Sequence, residues 1–297
     1  MKNVKAKTNE QIAMQVSANS IAVNLMLSIF KLIAGLLASS GAMISDAIHS
    51  ASDVFSTIIV IIGVKISGKA SDEDHPYGHD RFECVASIIL AILLGVTGVG
   101  IGLTGVQKLT AGHYDTLAVP GVLALAAAVI SIVVKEIMYW YTRNAAKKIN
   151  SGALMADAWH HRSDALSSIG AFVGIFGARL GYPILDPIAS IVICVMIAKA
   201  SIDIFRDAID KMVDHSCDAK TEESMKREIL KVPGVRRVDL LKTRLFGSKM
   251  YVDIEIAADG SISLFDAHDI AENVHHTIEN KFKDVKHCMV HVNPING

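Results

Sequence analysis

Six long apolar blocks separated by short charged stretches fill the first two thirds of this chain, and they restrict its fold more than any other feature. Mean hydropathy is +0.39 although 20% of the residues are charged, so the charges are segregated rather than spread. A helix of about 20 apolar residues crosses a hydrocarbon core. Blocks at about 12–37, 42–68, 83–109, 118–142, 152–180 and 185–205 meet that length. An even number of spans returns both ends to one side. Lys2, Lys5, Lys7, Lys65, Lys69, Arg81, Arg143, Lys147 and Lys148 fall in the amino tail and the even-numbered loops, whereas the other loops hold little beyond Lys108 and Arg179. The positive-inside rule therefore puts both termini in the cytoplasm. The first dozen residues are polar and lead into a block too long for a signal-peptide core, so it reads as a retained span.

Ionisable residues inside such blocks are expensive and mark functional positions. Two of the blocks carry the same spacing, His49-x-x-x-Asp53 in the second and His160-x-x-x-Asp164 in the fifth. Residues four apart lie one above the other on a helix, so each pair aims an imidazole and a carboxylate the same way. Two such helices side by side offer two nitrogens and two oxygens. That set suits a tetrahedral divalent cation, zinc first, with manganese, iron and cadmium left open. Asp46 and Asp157 each lie three residues before the histidine of a pair, as candidates for an access path or a helix-start cap. His161 and Arg162 point elsewhere around the helix, and Trp159 reads as packing or an interfacial anchor. Gly95, Gly98, Gly102 and Gly105 recur every three or four residues in the third block, a pattern that lets membrane helices approach closely.

After about residue 206 the composition becomes that of a soluble domain. An amphipathic stretch, Thr221–Leu230, ends at the turn signal Pro233-Gly234. Two alternating runs, Val238–Leu245 and Met250–Ile256, flank Gly247-Ser248 as a hairpin would. A second helix, about Phe265–Lys283, precedes a strand around Cys288–Val292. The expected layout is a six-helix transmembrane domain over 1–206 and a small α/β domain, α-β-β-α-β, over 207–297. A domain of that size buries a modest core, so dimerisation through it is expected.

Between the second and third blocks, Asp72, His75 and His79 place a carboxylate and two imidazoles within eight residues, enough to chelate a metal locally. A net charge of -1 and the lack of a basic stripe argue against nucleic acid as a partner. The four cysteines, Cys84, Cys194, Cys217 and Cys288, include no C-x-x-C pair, and structural disulfides are not expected.

The segment Ser45-Asp46-Ala47-Ile48-His49, the loop Asp74-His75-Pro76-Tyr77-Gly78-His79 with Glu83, and His160-His161-Arg162-Ser163-Asp164 together resemble the cation diffusion facilitator family, proton-coupled exporters of divalent metals. The resemblance spans essentially the whole chain. It implies a homodimer in an inner membrane, each protomer with six helices and a metallochaperone-like cytoplasmic domain. It also implies a membrane site of His49, Asp53, His160 and Asp164 and a loop site of Asp72, His75 and His79. In the cytoplasmic domain, His268 and His291 match ligand positions. Asp239 and Glu255 stand where some zinc members have histidine, and Asn293 stands where they have aspartate. Asp253 shares a face with Glu255, and His287 shares one with His291. Arg81 and Asp214 match an ion pair that couples the two domains. The implied function is secondary active export of a divalent cation against protons, with that cation as cargo and no other cofactor. A channel or membrane-bound sensor without proton coupling is the alternative. An embedded metalloenzyme is disfavoured, since there is no HExxH and a four-ligand set leaves no open position for water.

Overall fold

A computed structural model describes residues 8–37, 41–111, 122–179, 182 and 184–295, together forming eight helices and three strands. The chain divides into two compact units, Met1–Ala208 and Ile209–Gly297.

The first unit holds α1 (Asn9–Leu37), α2 (Gly41–Ser67), α3 (Phe82–Ala111), α4 (Val122–Ile149), α5 (Gly152–Arg179) and α6 (Leu185–Met212). Each of the six expected blocks holds one helix over its described residues. Stretches within α1, α3 and α6 are long and apolar enough to cross a membrane by composition. The helices α2, α4 and α5 carry Asp53, Lys135, Asp157 and Asp164, whose burial is described below. Two helices outrun their apolar blocks. The α4 helix continues through Arg143, Lys147 and Lys148, and α6 continues to Met212, because a helix leaving the bilayer keeps its internal hydrogen bonds while its side chains become charged. Asn150, with a positive φ of 54°, ends α4, and the Ser151 hydroxyl accepts from the Leu154 amide at 3.2 Å to start α5.

Lipid and side chain are equally apolar, so close packing rather than burial from water holds these helices together. Val60, Leu90, Leu94, Leu154 and Ile197 interlock from four different helices. Phe55, Val96 and Val195 face outward as lipid-exposed residues do. The glycine stripe on α3 faces α6. A Cβ at Gly98 would lie 2.7 Å from Ile197 Cγ2, and one at Gly102 would lie 2.5 Å from Cys194 Sγ. The Ser201 hydroxyl crosses this contact to the Ala91 carbonyl at 2.7 Å.

The second unit contains α7 (Ala219–Ile229), β1 (Arg237–Phe246), β2 (Lys249–Asp259), α8 (Leu264–Lys281) and β3 (Val285–Ile295). The order is the expected α-β-β-α-β. Asp218 caps α7 by accepting from the Thr221 amide, and Ser263 caps α8 by accepting from that of Asp266. The β1–β2 pair is antiparallel around Gly247 (φ 64°), and β3 joins β2 in parallel after the α8 crossover. Pro294 is tolerated because β3 is an edge strand. Met225, Ile229, Val252, Ile254, Ile256, Val274 and Ile278 form the core. Full burial of such a side chain contributes about 1.5–3 kcal/mol. The four cysteines are free thiols, and burial raises that of Cys288 to about 12.

Candidate metal centre

The fifth helix presents His160 and Asp164 one turn apart, and α2 presents Asp53 toward them. One ligand atom from each of these three residues lies within 4.8 Å of the other two. His160 Nε2 is 3.4 Å from Asp53 Oδ1. The Asp53 and Asp164 side chains are 2% and 9% exposed, so both carboxylates are withdrawn from solvent and lipid alike. His49 lies on α2, one turn before Asp53, but its side chain and that of Asp46 fall outside the described residues.

A cation is already present. Lys135 of α4 reaches between the two carboxylates, with its Nζ 2.8 Å from Asp164 Oδ2 and in contact with Asp53 Oδ2. Helical spacing does not reveal this residue. Lys135 and Glu136 look like a self-cancelling pair inside an otherwise apolar block, yet neighbours at i and i+1 point to different sides of a helix. Glu136 instead turns to Trp140 Nε1 at 2.9 Å and to Arg162 at 3.7 Å. The rule that flagged the histidines, that ionisable groups in lipid mark function, flags Lys135 equally. Lys31 on α1 is a second buried lysine of this kind, donating to Ser50 Oγ at 2.8 Å.

One turn before His160, Asp157 is fully buried and accepts from the Thr57 hydroxyl at 3.2 Å. His161 Nε2 is 3.6 Å from the other Asp157 oxygen, so these two residues form a polar pair beside the site. Arg162 lays its guanidinium over the Tyr139 ring at 4.4 Å, with Trp159 at 5.8 Å. It packs on these rings and beside Glu136, pointing away from Asp53 and Asp164 as its place around the helix implies.

The loop between α2 and α3 gathers Asp72, His75 and His79 into the second cluster with metal-ligand geometry among the described residues. His75 Nδ1 and His79 Nε2 each lie 3.3 Å from an Asp72 oxygen, and the imidazole centroids are 4.4 Å apart. The loop is preorganised. The His75 amide donates to Asp72 Oδ1 at 2.7 Å, and His79 Nδ1 meets the Ala70 carbonyl at 3.1 Å, which turns Nε2 inward. The amide of His75 holds the Asp72 carboxyl below its ordinary value.

In the cytoplasmic unit, Asp239, Glu255, His268 and His291 do not gather into one cluster with metal-ligand geometry. Asp239 and Glu255 meet through Asn293, whose amide donates to them at 3.1 and 3.3 Å. Arg237 holds Asp239 at 2.5 Å and keeps its carboxyl below the usual range. His268 and His291 instead line an open groove of about 470 Å³ with Asp259 and Asn293. The physical reason is the sheet. Glu255 and His291 are register partners on β2 and β3, whereas His268 belongs to α8 and shares only the groove lining with His291. Cys288 faces the core, opposite His287 and His291, as strand parity requires. Arg81 precedes α3 in the first unit. Asp214 follows α6 in the second, at a positive φ of 61°.

A membrane helix bundle with an acidic, histidine-bearing centre, followed by a small α/β domain, defines a class of metal-handling membrane proteins. The family model described as the cation efflux transmembrane domain matches residues 17–213, and that of the cation efflux protein cytoplasmic domain matches residues 217–295. The chain therefore belongs to the cation efflux (cation diffusion facilitator) family, a family of integral membrane transporters. An uncharacterised transporter of Methanocaldococcus jannaschii is 39% identical, covering 93% of this chain and 96% of its own. The manganese efflux system protein MneP of Bacillus subtilis is 34% identical, over 97% and 98%. Metal tolerance protein C1 of Arabidopsis thaliana is 35% identical, over 90% of this chain and 59% of its own. Among solved structures, a MamM CTD in a cadmium form is 23% identical, covering 26% of this chain and 98% of its own, with a TM-score of 0.26.

Proposed function

We propose that this chain, working as a homodimer with both termini cytoplasmic, exports a divalent metal cation in exchange for protons. The observation that carries the reading is the convergence of Asp53, His160 and Asp164 from two membrane helices, with ligand atoms within 4.8 Å of one another. Two carboxylates and an imidazole are acceptable donors for first-row divalent cations, and His49 would be the fourth. Zinc fits the donor set. Manganese is the cargo we rank first, because MneP and MneS of Bacillus subtilis, 34% and 33% identical, are named as manganese efflux proteins.

Metal ligands must be deprotonated, so loading releases protons, and protons arriving from the other side expel the metal. A charge crossing the membrane gains about 2.3 kcal/mol per 100 mV, which can drive such an exchange. In this reading the loop cluster of Asp72, His75 and His79 collects cations on the cytoplasmic side. The groove with His268 and His291 senses them, and Arg81 and Asp214 couple the two units.

The test is manganese and zinc flux into proteoliposomes under an imposed pH gradient, with Asp53→Ala alongside. Flux that requires the gradient and is lost in the variant supports exchange. Flux indifferent to the gradient would make the protein a channel, and metal binding without flux would make it a sensor.

A further inference from the structure

Lys135 comes from α4, a helix with no part in the His-x-x-x-Asp spacing, yet its ammonium bonds one oxygen of Asp53 and one of Asp164. Its side chain is 2% exposed. A divalent cation bound by the same two oxygens, at about 2 Å from each, needs that same position. The two cannot share it. Besides the overlap of atoms, an ammonium and a divalent ion a few ångströms apart repel strongly where water is scarce.

We propose that Lys135 is a tethered counter-cation for the transport site: it holds Asp53 and Asp164 together between loads, and the incoming metal must displace it. The proposal rests on the reading of these aspartates as metal ligands. A purely structural lysine would need one carboxylate, whereas this one bridges two, and two buried carboxylates this close need a cation or a proton between them whenever the metal is absent. Lysine suits the task because it is a compact charge on a flexible stem, free to swing aside once a metal takes over. The apparent affinity is then the difference between binding metal and binding Lys135. That difference keeps loading reversible and gives the carboxylates a partner while the site changes sides.

The test is equilibrium binding of Mn2+ alone to the full chain in lipid nanodiscs, following the component that Asp53→Asn abolishes. Lys135→Gln removes the competitor, so its Kd falls by about tenfold or more. Its melting temperature without metal drops below that of the wild type, and added Mn2+ raises it by more. Lys135→Arg works in the opposite direction. A guanidinium fork can bridge both carboxylates, so it competes harder and binding weakens. Lys135→Gln that binds Mn2+ no tighter than the wild type, while Asp53→Asn loses binding, overturns the role of Lys135 and leaves the site standing. Equal binding by wild type and Asp53→Asn overturns the site itself. If Lys135→Gln does not fold, Lys135→Arg decides: weaker binding supports the proposal, and unchanged or tighter binding overturns it.

Discussion

Asp53 and Asp164 are acceptors with no donor of their own, buried in helices where an uncompensated carboxylate is costly. Lys135 donates to both, and His160 Nε2 lies 3.4 Å from Asp53 Oδ1. Replacing Asp164 by Asn removes one charged ligand and leaves Lys135 with Asp53 as its one carboxylate partner in the site. The expected result is a loss of more than about 100-fold in metal affinity with the elution position of the wild type kept, read by Mn2+ binding and by size-exclusion chromatography in detergent. The two aspartates and His160 were legible because their spacing is helical and repeated. Lys135 was not legible from spacing, because one residue on a third helix forms no pattern and its neighbour Glu136 masks the unbalanced charge. The cytoplasmic residues were legible as individuals but not as a group. Sequence fixes which face of a strand a side chain takes, as for Glu255 and His291, but not how far His268 on α8 stands from them.

Helix α3 carries glycines with two different roles. Gly102 faces Cys194, and a side chain there meets the sulfur and Cβ of that residue at 2.5 and 2.9 Å, whereas nothing lies within 4 Å of a Cβ at Gly100. Gly102→Leu should push α3 and α6 apart and cost about 1–3 kcal/mol, while Gly100→Ala should be neutral or slightly stabilising. Thermal unfolding in detergent distinguishes them. In the cytoplasmic unit, Glu228 of α7 accepts from Lys231 and from Lys281 of α8. The Lys231 hydrogen bond and then the Lys281 one bring its carboxyl down to about 2. A carboxyl lowered in the folded state contributes stability in full above its ordinary value of 4.5 and loses it as pH falls through about 2. Glu228→Gln should therefore reduce hydrogen-exchange protection of α7 and α8 in the full chain at neutral pH. The effect is small because the lysines are largely exposed, and the two proteins converge toward pH 2. The order and kind of every element were legible from periodicity. The ends of α4 and α6 were not, since hydropathy reports where lipid ends rather than where hydrogen bonding does. The true length of β3 was hidden by Pro294, which argues against a strand unless the strand lies at an edge.

The transmembrane and cytoplasmic units are matched by separate models of the same family, and each carries its own acidic and histidine-bearing chemistry. Two clusters among the described residues can therefore compete for metal: the membrane centre and the α2–α3 loop. Transport is proposed for the first alone. The measurement that tests this most directly is an anomalous-scattering map of the full-length protein crystallised with Mn2+. The expected map has a peak between Asp53 and Asp164, within bonding distance of His160, with the Lys135 ammonium moved out of that position. Manganese confined to the loop and the cytoplasmic unit, with Lys135 still bridging the two aspartates at saturating metal, would contradict it.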